Sequence, residues 1–101
     1  MVFGTILKPK TWYRMSQENI NSLPRKSGVY WLGKENKVIY IGSSENLHDR
    51  LRTHYQQPDS CIRQATQFAI ETCTNYRERE RTLLQAYLAK HGKLPLCNDR
   101  L

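Results

Sequence analysis

Two tyrosines and an arginine recur at intervals of ten residues near the middle of the sequence. Tyr30 and Tyr40 each lie in a short apolar run, and Arg50 follows in a segment with helical periodicity. A phenol has an ordinary pKa near ~10, so either tyrosine needs a nearby cation or a metal-bound water to act as a base at neutral pH. An arginine guanidinium makes planar bidentate contacts with phosphate. The three residues together suit phosphodiester hydrolysis; the alternative is that the tyrosines only pack in the core.

Further polar side chains could complete such a site. His54 follows Arg50 by four residues on one helical face, and an imidazole transfers protons near neutral pH, although a plain surface histidine is the alternative. Glu78 and Glu80 offer the hard oxygen ligands that Mg²⁺ takes, or they form salt bridges along a helix. Asn98 is a lone polar residue in an apolar C-terminal tail, and it could hold that tail against the site.

A hairpin and a helix are expected to position the tyrosines and the arginine. Strands are predicted over 29–32 and 38–41, where β-branched and aromatic residues concentrate, with a polar turn over 34–37. Ser43 or Ser44 is expected to cap the helix that follows. The residues expected to form a buried stripe along this helix are Leu47, Leu51 and Tyr55.

The rest of the chain predicts three more elements. Ser16 is expected to cap a short N-terminal helix, residues 66–73 alternate partly as in a third strand, and residues 76–90 form a long helix. The order is short helix, strand, strand, helix, strand, helix. The fold class is therefore α/β (α+β), with a small antiparallel sheet and helices packed on it.

Composition favours a nucleic-acid partner. Sixteen lysines and arginines against nine acidic residues give a formal charge of +7 and a pI near 9.6. A small domain this basic often binds a polyanion, although a basic protein with no such partner is the alternative. No apolar run approaches the ~20 residues that a membrane span needs, so no membrane association is expected, and the start does not have the pattern of a secretory signal.

The cysteines indicate an intracellular environment. Cys61, Cys73 and Cys97 are odd in number and far apart, and no C-x-x-C motif occurs. Zinc sites and disulfide frameworks usually show paired cysteines at regular spacings. We therefore expect three reduced thiols in a cytoplasmic protein.

The two tyrosine segments resemble a known signature. Gly28-Val29-Tyr30 followed by Tyr40-Ile41-Gly42 is similar to the paired motif of the GIY-YIG nuclease superfamily. The resemblance covers about residues 26–98. Four further elements follow in the family's order, namely Arg50, His54, Glu80 and Pro95-Leu96-Cys97-Asn98.

This resemblance implies a fold, an activity and partners. The family fold is a three-stranded antiparallel sheet flanked by helices; here it would occupy residues 26–101, with residues 1–25 as an N-terminal extension packing on the domain. The family activity is hydrolysis of DNA phosphodiester bonds with one divalent metal ion, Mg²⁺ or Mn²⁺. The alternative is a nucleic-acid-binding module that keeps the nuclease fold without cutting. A homodimer or a targeting protein is a further possible partner, because the chain has no room for a targeting domain.

The resemblance also implies a role for each residue. Glu80 would bind the metal, Tyr30 or Tyr40 would help to deprotonate the attacking water, and Arg50 would stabilise the phosphate charge. His54 would assist proton transfer, and Asn98 would hold the site together.

Two departures from the family pattern bear on these roles. Val29 replaces isoleucine in the first triplet, which is a conservative change. The interval from Glu80 to Asn98 is longer than in many members, and a shorter interval would put the acid near Gln85, which binds metal poorly. We prefer Glu80, with Glu78 as the second candidate.

Overall fold

The computed structural model describes residue 9 and residues 11–99, and within them an antiparallel sheet of four strands forms the centre of the fold. The strands lie in the order β1-β4-β2-β3. Their bounds are β1 Tyr13–Arg14, β2 Gly28–Lys34, β3 Lys37–Ser44 and β4 Gln67–Thr72. The predicted hairpin is confirmed as β2 and β3. The expectation of three strands was wrong, because the two-residue strand β1 pairs with β4 and is too short to show a strand pattern in the sequence.

Helices cover both faces of this sheet. Their bounds are α1 Gln17–Asn21, α2 Leu47–Gln56 and α3 Tyr76–His91, with a short 3₁₀ turn at Ile62–Gln64 before β4. Side chains alternate between the two faces of a strand. Tyr30 and Leu32 of β2 therefore pack with α1 and α2, while Val29 and Trp31 pack with Leu83 and its neighbour on α3.

The stripe predicted along α2 is only partly correct. Leu47 and Leu51 are fully buried, whereas Tyr55 is 40% exposed. An α-helix turns about 100° per residue, so positions four apart drift by ~40° and positions eight apart by ~80°. Tyr55 consequently leaves the buried face that Leu47 occupies.

Two helix caps were predicted, and one is confirmed. Ser16 caps α1, since its Oγ accepts a hydrogen bond from the Asn19 backbone N–H at 3.2 Å. The cap of α2 is Asn46, whose Oδ1 accepts from the Asp49 N–H at 3.1 Å, so the prediction of Ser43 or Ser44 was wrong. The physical reason is that β3 continues through these serines before the helix begins.

Two of the cysteines form a disulfide. Cys61 and Cys97 are bonded to each other, and Cys73 is free. The expectation of three reduced thiols was therefore wrong for this pair. The C-terminal tail returns along β3, where the Cys97 N–H donates to the Ile39 carbonyl at 2.7 Å, and this places Cys97 beside the loop that precedes the 3₁₀ turn.

None of the helices formed by the described residues has the length and apolar content needed to cross a bilayer.

Candidate active site

The pairing of β2 with β3 places both tyrosines of the paired motif on one face of the sheet. Tyr30 lies opposite Gly42, and Tyr40 lies opposite Leu32, so the two tyrosines are diagonal neighbours. Their ring centroids are 6.0 Å apart. Tyr30 is almost fully buried, while Tyr40 is half-buried. The structure therefore brings together two residues that lie ten positions apart in the sequence.

The glycines of the motif make room for these contacts. A Cβ atom at Gly42 would lie 2.4 Å from the hydroxyl oxygen of Tyr30. At Gly28 it would lie 2.2 Å from the backbone oxygen of Glu71 on β4. Both positions exclude any larger residue without rearrangement, and Gly42 is what allows the Tyr30 hydroxyl to lie against β3.

His54 joins the tyrosines from the last turn of α2. Its Nε2 lies 2.8 Å from the Tyr30 hydroxyl oxygen, and its ring centroid is 5.7 Å from that of Tyr40. Burial, assisted by the positive charge of Arg50, lowers the pKa of His54 to about 4. The imidazole is therefore neutral at neutral pH, with one ring nitrogen a hydrogen-bond donor and the other an acceptor.

The two tyrosines differ in how readily they ionise. Burial raises the pKa of Tyr30 far above that of a free phenol, and the neighbouring Tyr40 raises it further. The pKa of Tyr40 is raised first by burial and next by the negative charge of Glu80, while the Tyr30 hydroxyl and Arg50 oppose this rise. Tyr40 thus has the greater access to solvent. The Tyr30 hydroxyl also favours its ionised form, whereas Tyr40 disfavours the ionised form of Tyr30.

Arg50 supplies the positive charge of the cluster. It is exposed on α2, one turn before His54, and its charge opposes the rise in the pKa values of both tyrosines. Within residues 11–99 it forms no ion pair. Its guanidinium is consequently available to an anion from solution.

Glu80 reaches the sheet from α3. Its side chain is half-buried, and its Oε1 accepts a hydrogen bond from the Ser43 hydroxyl on β3. Glu78 and Gln85, the other two positions considered for the acid, are exposed. Of the three positions, Glu80 is therefore the one that makes a side-chain hydrogen bond to the strand carrying Tyr40.

Asn98 binds the exposed edge of β3. The Ile41 N–H donates to Asn98 Oδ1 at 2.9 Å, and Asn98 Nδ2 donates to the Ile41 carbonyl at 3.0 Å. The amide side chain thus acts like a further strand at the residue between Tyr40 and Gly42. It fixes the backbone from which the second half of the motif projects.

Ser43 is a contact that sequence reasoning missed, because it was assigned to a helix cap. Strand alternation offered a signal: Ser43 pairs with Val29, whose side chain packs on the α3 face of the sheet. A hydroxyl on that face, directly after Gly42, is placed to meet a carboxylate from α3.

The sheet, its helices and the paired tyrosines define the fold of the GIY-YIG nuclease superfamily, and comparison with solved structures confirms the resemblance. The chain is similar to the GIY-YIG N-terminal endonuclease domain of UvrC from Thermotoga maritima, in a point mutant bound to its catalytic divalent cation. The match covers 83% of this chain and 94% of that one, with 25% identity and a TM-score of 0.63. A second structure of that domain, bound to magnesium, matches 81% of this chain and 93% of that one at 24% identity and a TM-score of 0.62.

The chain belongs to the family described as a domain of unknown function, DUF7508, which matches residues 6–90. It is also similar to the UvrABC system protein C of Methanosphaera stadtmanae, with 31% identity over 83 residues, and to that of Wolbachia sp. subsp. Drosophila simulans, with 36% identity over 90 residues. These matches cover 75% and 84% of this chain but only 14% and 15% of the relatives. The chain thus spans about one seventh of their length.

Proposed function

We propose that this protein is a divalent-metal-dependent endonuclease that hydrolyses phosphodiester bonds of DNA. The observation that carries the proposal is the arrangement around β3: Tyr40 lies with Tyr30 and His54 on one side, and Glu80 is hydrogen-bonded to Ser43 on the same strand. The likeness to an endonuclease domain and the charge of +7 support it. Each ingredient of metal-assisted hydrolysis has a residue in this arrangement.

The residues present fit one Mg²⁺ or Mn²⁺ ion held by Glu80. Mg²⁺ is commonly bound by one or two carboxylates and keeps several waters or substrate phosphate oxygens as its other ligands. Among the described residues, no group of three His, Cys, Asp or Glu side chains is arranged to hold a metal, and the proposed site uses the single carboxylate of Glu80. When bound, the ion would make a coordinated water more acidic and would offset negative charge on the phosphate.

Tyr40 is the residue we assign to the attacking water. Its side chain is only half-buried, it lies close enough to Glu80 for the carboxylate to raise its pKa, and Arg50 opposes that rise. Tyr30 then connects Tyr40 with His54, since the Tyr30 hydroxyl lies 2.8 Å from the neutral imidazole. The ionised form of Tyr40 would accept the proton of the water, and His54 would assist by holding the Tyr30 hydroxyl through their hydrogen bond.

Arg50 and Asn98 have supporting roles in this proposal. The guanidinium of Arg50 would contact the phosphate and stabilise the charge that develops on its oxygens. Asn98 would keep the backbone of β3 in place beside Tyr40 through its two hydrogen bonds with Ile41. We give Glu78 no role, because Glu80 is the residue that is hydrogen-bonded to β3.

The proposal also covers the substrate, the partners, the domain bounds and the location of the protein. DNA is the proposed substrate, and a second copy or a targeting protein is the proposed source of specificity. Residues 26–101 remain the proposed nuclease domain, with the segment before residue 26 as an extension. The cytoplasmic location stays a prediction, and the disulfide between Cys61 and Cys97 weighs against the reason given for it, since reduced thiols are the rule in the cytosol.

The decisive experiment measures cleavage of supercoiled plasmid and of branched DNA in Mg²⁺, in Mn²⁺ and in EDTA. Glu80→Gln is the test variant, and Glu78→Gln is the matched control on the same helix. Metal-dependent cleavage that Glu80→Gln loses and Glu78→Gln keeps is the expected result. Equal activity of Glu80→Gln and wild type would show that another residue holds the metal. DNA binding without cleavage under every condition would show a non-catalytic binding module instead.

A further inference from the structure

A polar groove opens beside the candidate active site. It has a volume of about 500 Å³ and runs between the start of α2 and the start of α3. Arg50 and Thr53 of α2 line one wall, and Tyr76 and Arg77 of α3 line the other. No aliphatic side chain lines it, so its chemistry does not suit a hydrophobic ligand.

The groove is continuous with the residues assigned to catalysis. Arg50 and Ser43 belong to both, because Arg50 acts on the tyrosines and Ser43 is hydrogen-bonded to Glu80. A polymer whose phosphate contacts Arg50 at the active site therefore has a path into the groove. This relationship separates the groove from three other depressions on the described residues, which Arg50 does not line.

The charges lining the groove favour an anionic polymer. Arg50 and Arg77 are exposed, and neither forms an ion pair within residues 11–99. Asp49 also lines the groove, but its carboxylate is paired with Arg25 at 3.2 Å and with Arg52 at 3.8 Å. Paired in this way, Asp49 adds little net negative charge to the groove.

The remaining carboxylate, Glu45, is exposed at the groove and forms no ion pair among the described residues. The two positive charges of Arg50 and Arg77 therefore exceed the single negative charge of Glu45. Uncharged donors line the groove as well, and these are Ser43, Ser44, Asn46 and Thr53.

Tyr76 adds an aromatic surface to the wall formed by α3. Its ring is half-exposed and lies 5.6 Å from the guanidinium carbon of Arg77. An arginine next to an aromatic ring is a combination that proteins use to hold a nucleotide, with the cation on the phosphate and the ring against a base or sugar.

We propose that this groove binds the DNA strand on one side of the scissile phosphate, with Arg77 contacting a neighbouring phosphate and Tyr76 contacting the attached nucleoside. The inference rests on the proposed function, since it extends the path of the substrate beyond Arg50. It assigns binding, and no part of the bond cleavage, to Tyr76 and Arg77.

The test compares Arg77→Ala with Arg81→Ala. Arg81 is exposed one turn further along α3 and does not line the groove, so its loss removes the same charge from the same helix. Equilibrium binding of a short DNA oligonucleotide is measured in EDTA over a series of salt concentrations, so that no cleavage contributes. One lost phosphate contact reduces the slope of log affinity against log salt by ~0.7 for a single strand and ~0.9 for a duplex.

In Arg77→Ala, we expect the slope of log affinity against log salt to fall by the amount for one lost phosphate contact. In Arg81→Ala, we expect this slope to stay unchanged. Tyr76→Ala is expected to weaken binding by roughly 5–150-fold, the effect that loss of base stacking on an aromatic side chain has. Equal effects of the two arginine variants would show a general attraction to the positive surface and would overturn the proposal, as would wild-type affinity in Arg77→Ala.

Cleavage by the wild type in Mg²⁺ is measured in parallel, and this separates the two proposals. If the salt dependence of binding depends on Arg77 but the protein never cuts DNA, the groove proposal is supported and the proposed catalytic function is wrong. If the wild type cleaves DNA but Arg77→Ala does not change binding, only the groove proposal is wrong. If the wild type does not bind DNA, both proposals are wrong.

Discussion

The hydroxyl oxygen of Tyr30 lies 2.8 Å from Nε2 of His54, and both rings contact the ring of Tyr40. This relationship joins the two halves of the paired tyrosine motif to α2. It also pairs a phenol of raised pKa with an imidazole of lowered pKa, so the neutral forms of both groups are favoured. A neutral hydrogen-bonded pair holds the Tyr30 hydroxyl in place without an ion pair in the buried site.

Removing either phenol hydroxyl tests the roles assigned to the two tyrosines. Tyr40→Phe should lower the single-turnover cleavage rate by about 10²–10⁴-fold, the usual contribution of a general base, because Tyr40 is assigned to the water. Tyr30→Phe should lower it less, because it removes only the hydrogen-bonded link to His54. Tyr55→Phe is the control, since Tyr55 is exposed outside the cluster. A larger loss in Tyr30→Phe than in Tyr40→Phe would show that Tyr30, and not Tyr40, acts on the attacking water.

The pKa of His54 predicts how stability depends on pH. Its folded-state value of about 4 lies below the ordinary 6.5, so the unfolded chain binds the proton more readily between these values. The contribution of His54 to stability is therefore complete above about pH 6.5 and is lost as the pH falls toward 4. The melting temperature of the wild type should fall more steeply over this range than that of His54→Gln.

Titration of the His54 ring protons by NMR checks the same prediction directly. The expected midpoint is about 4. Arg50→Ala should raise this midpoint, because the positive charge of Arg50 is one of the causes of the lowered pKa. A midpoint near 6.5 in the wild type would show that the imidazole is not desolvated as the structure indicates.

Ser43 should orient the metal ligand. Its hydroxyl donates to Glu80 Oε1, and loss of a hydrogen-bond partner of a metal ligand commonly costs about 10–100-fold in metal affinity. Ser43→Ala should therefore weaken Mn²⁺ binding by this factor in calorimetric titrations, and Ser43→Thr should restore it. Ser44→Ala is the matched control, since the Ser44 hydroxyl bonds the backbone of Asn46. Unchanged Mn²⁺ affinity in Ser43→Ala would contradict this role.

The hairpin and its tyrosines could be predicted because short-range patterns determine them. β-branched and aromatic residues mark both strands, and the paired motif marks which residues face each other. The requirement for Gly42 could not be predicted from propensity, since it comes from the Tyr30 hydroxyl directly across the strand pair. Family resemblance supplied that glycine, and the structure supplies its reason.

The features that were missed depend on contacts between distant segments. β1 has two residues and forms only because β4 lies beside it. The disulfide forms because the C-terminal tail follows the edge of β3, and this path cannot be predicted from the spacing of the cysteines. The contact between Ser43 and Glu80 likewise joins residues 37 positions apart. Sequence patterns report which segments form elements, whereas these contacts arise only when the elements pack.

The disulfide should stabilise the tail that carries Asn98. It closes a separation of 36 residues, and a loop of this size typically adds ~2–4 kcal/mol to the free energy of unfolding. Reduction, or Cys61→Ser together with Cys97→Ser, should therefore lower the melting temperature by more than about 8 °C, at about 4–8 °C per kcal/mol for a domain of this size. Cys73→Ser is the control, because Cys73 is a free thiol.

Cleavage should respond to the same change through Asn98. A loosened tail spends less time on Ile41, so the backbone beside Tyr40 is held less firmly and the rate should fall below the melting temperature of the reduced protein. Asn98→Ala should lower the rate of the oxidised protein in the same direction, because it removes both hydrogen bonds with Ile41. If reduction shifts the melting temperature and leaves the rate of the folded protein unchanged, the disulfide stabilises the fold but Asn98 does not depend on it for its position.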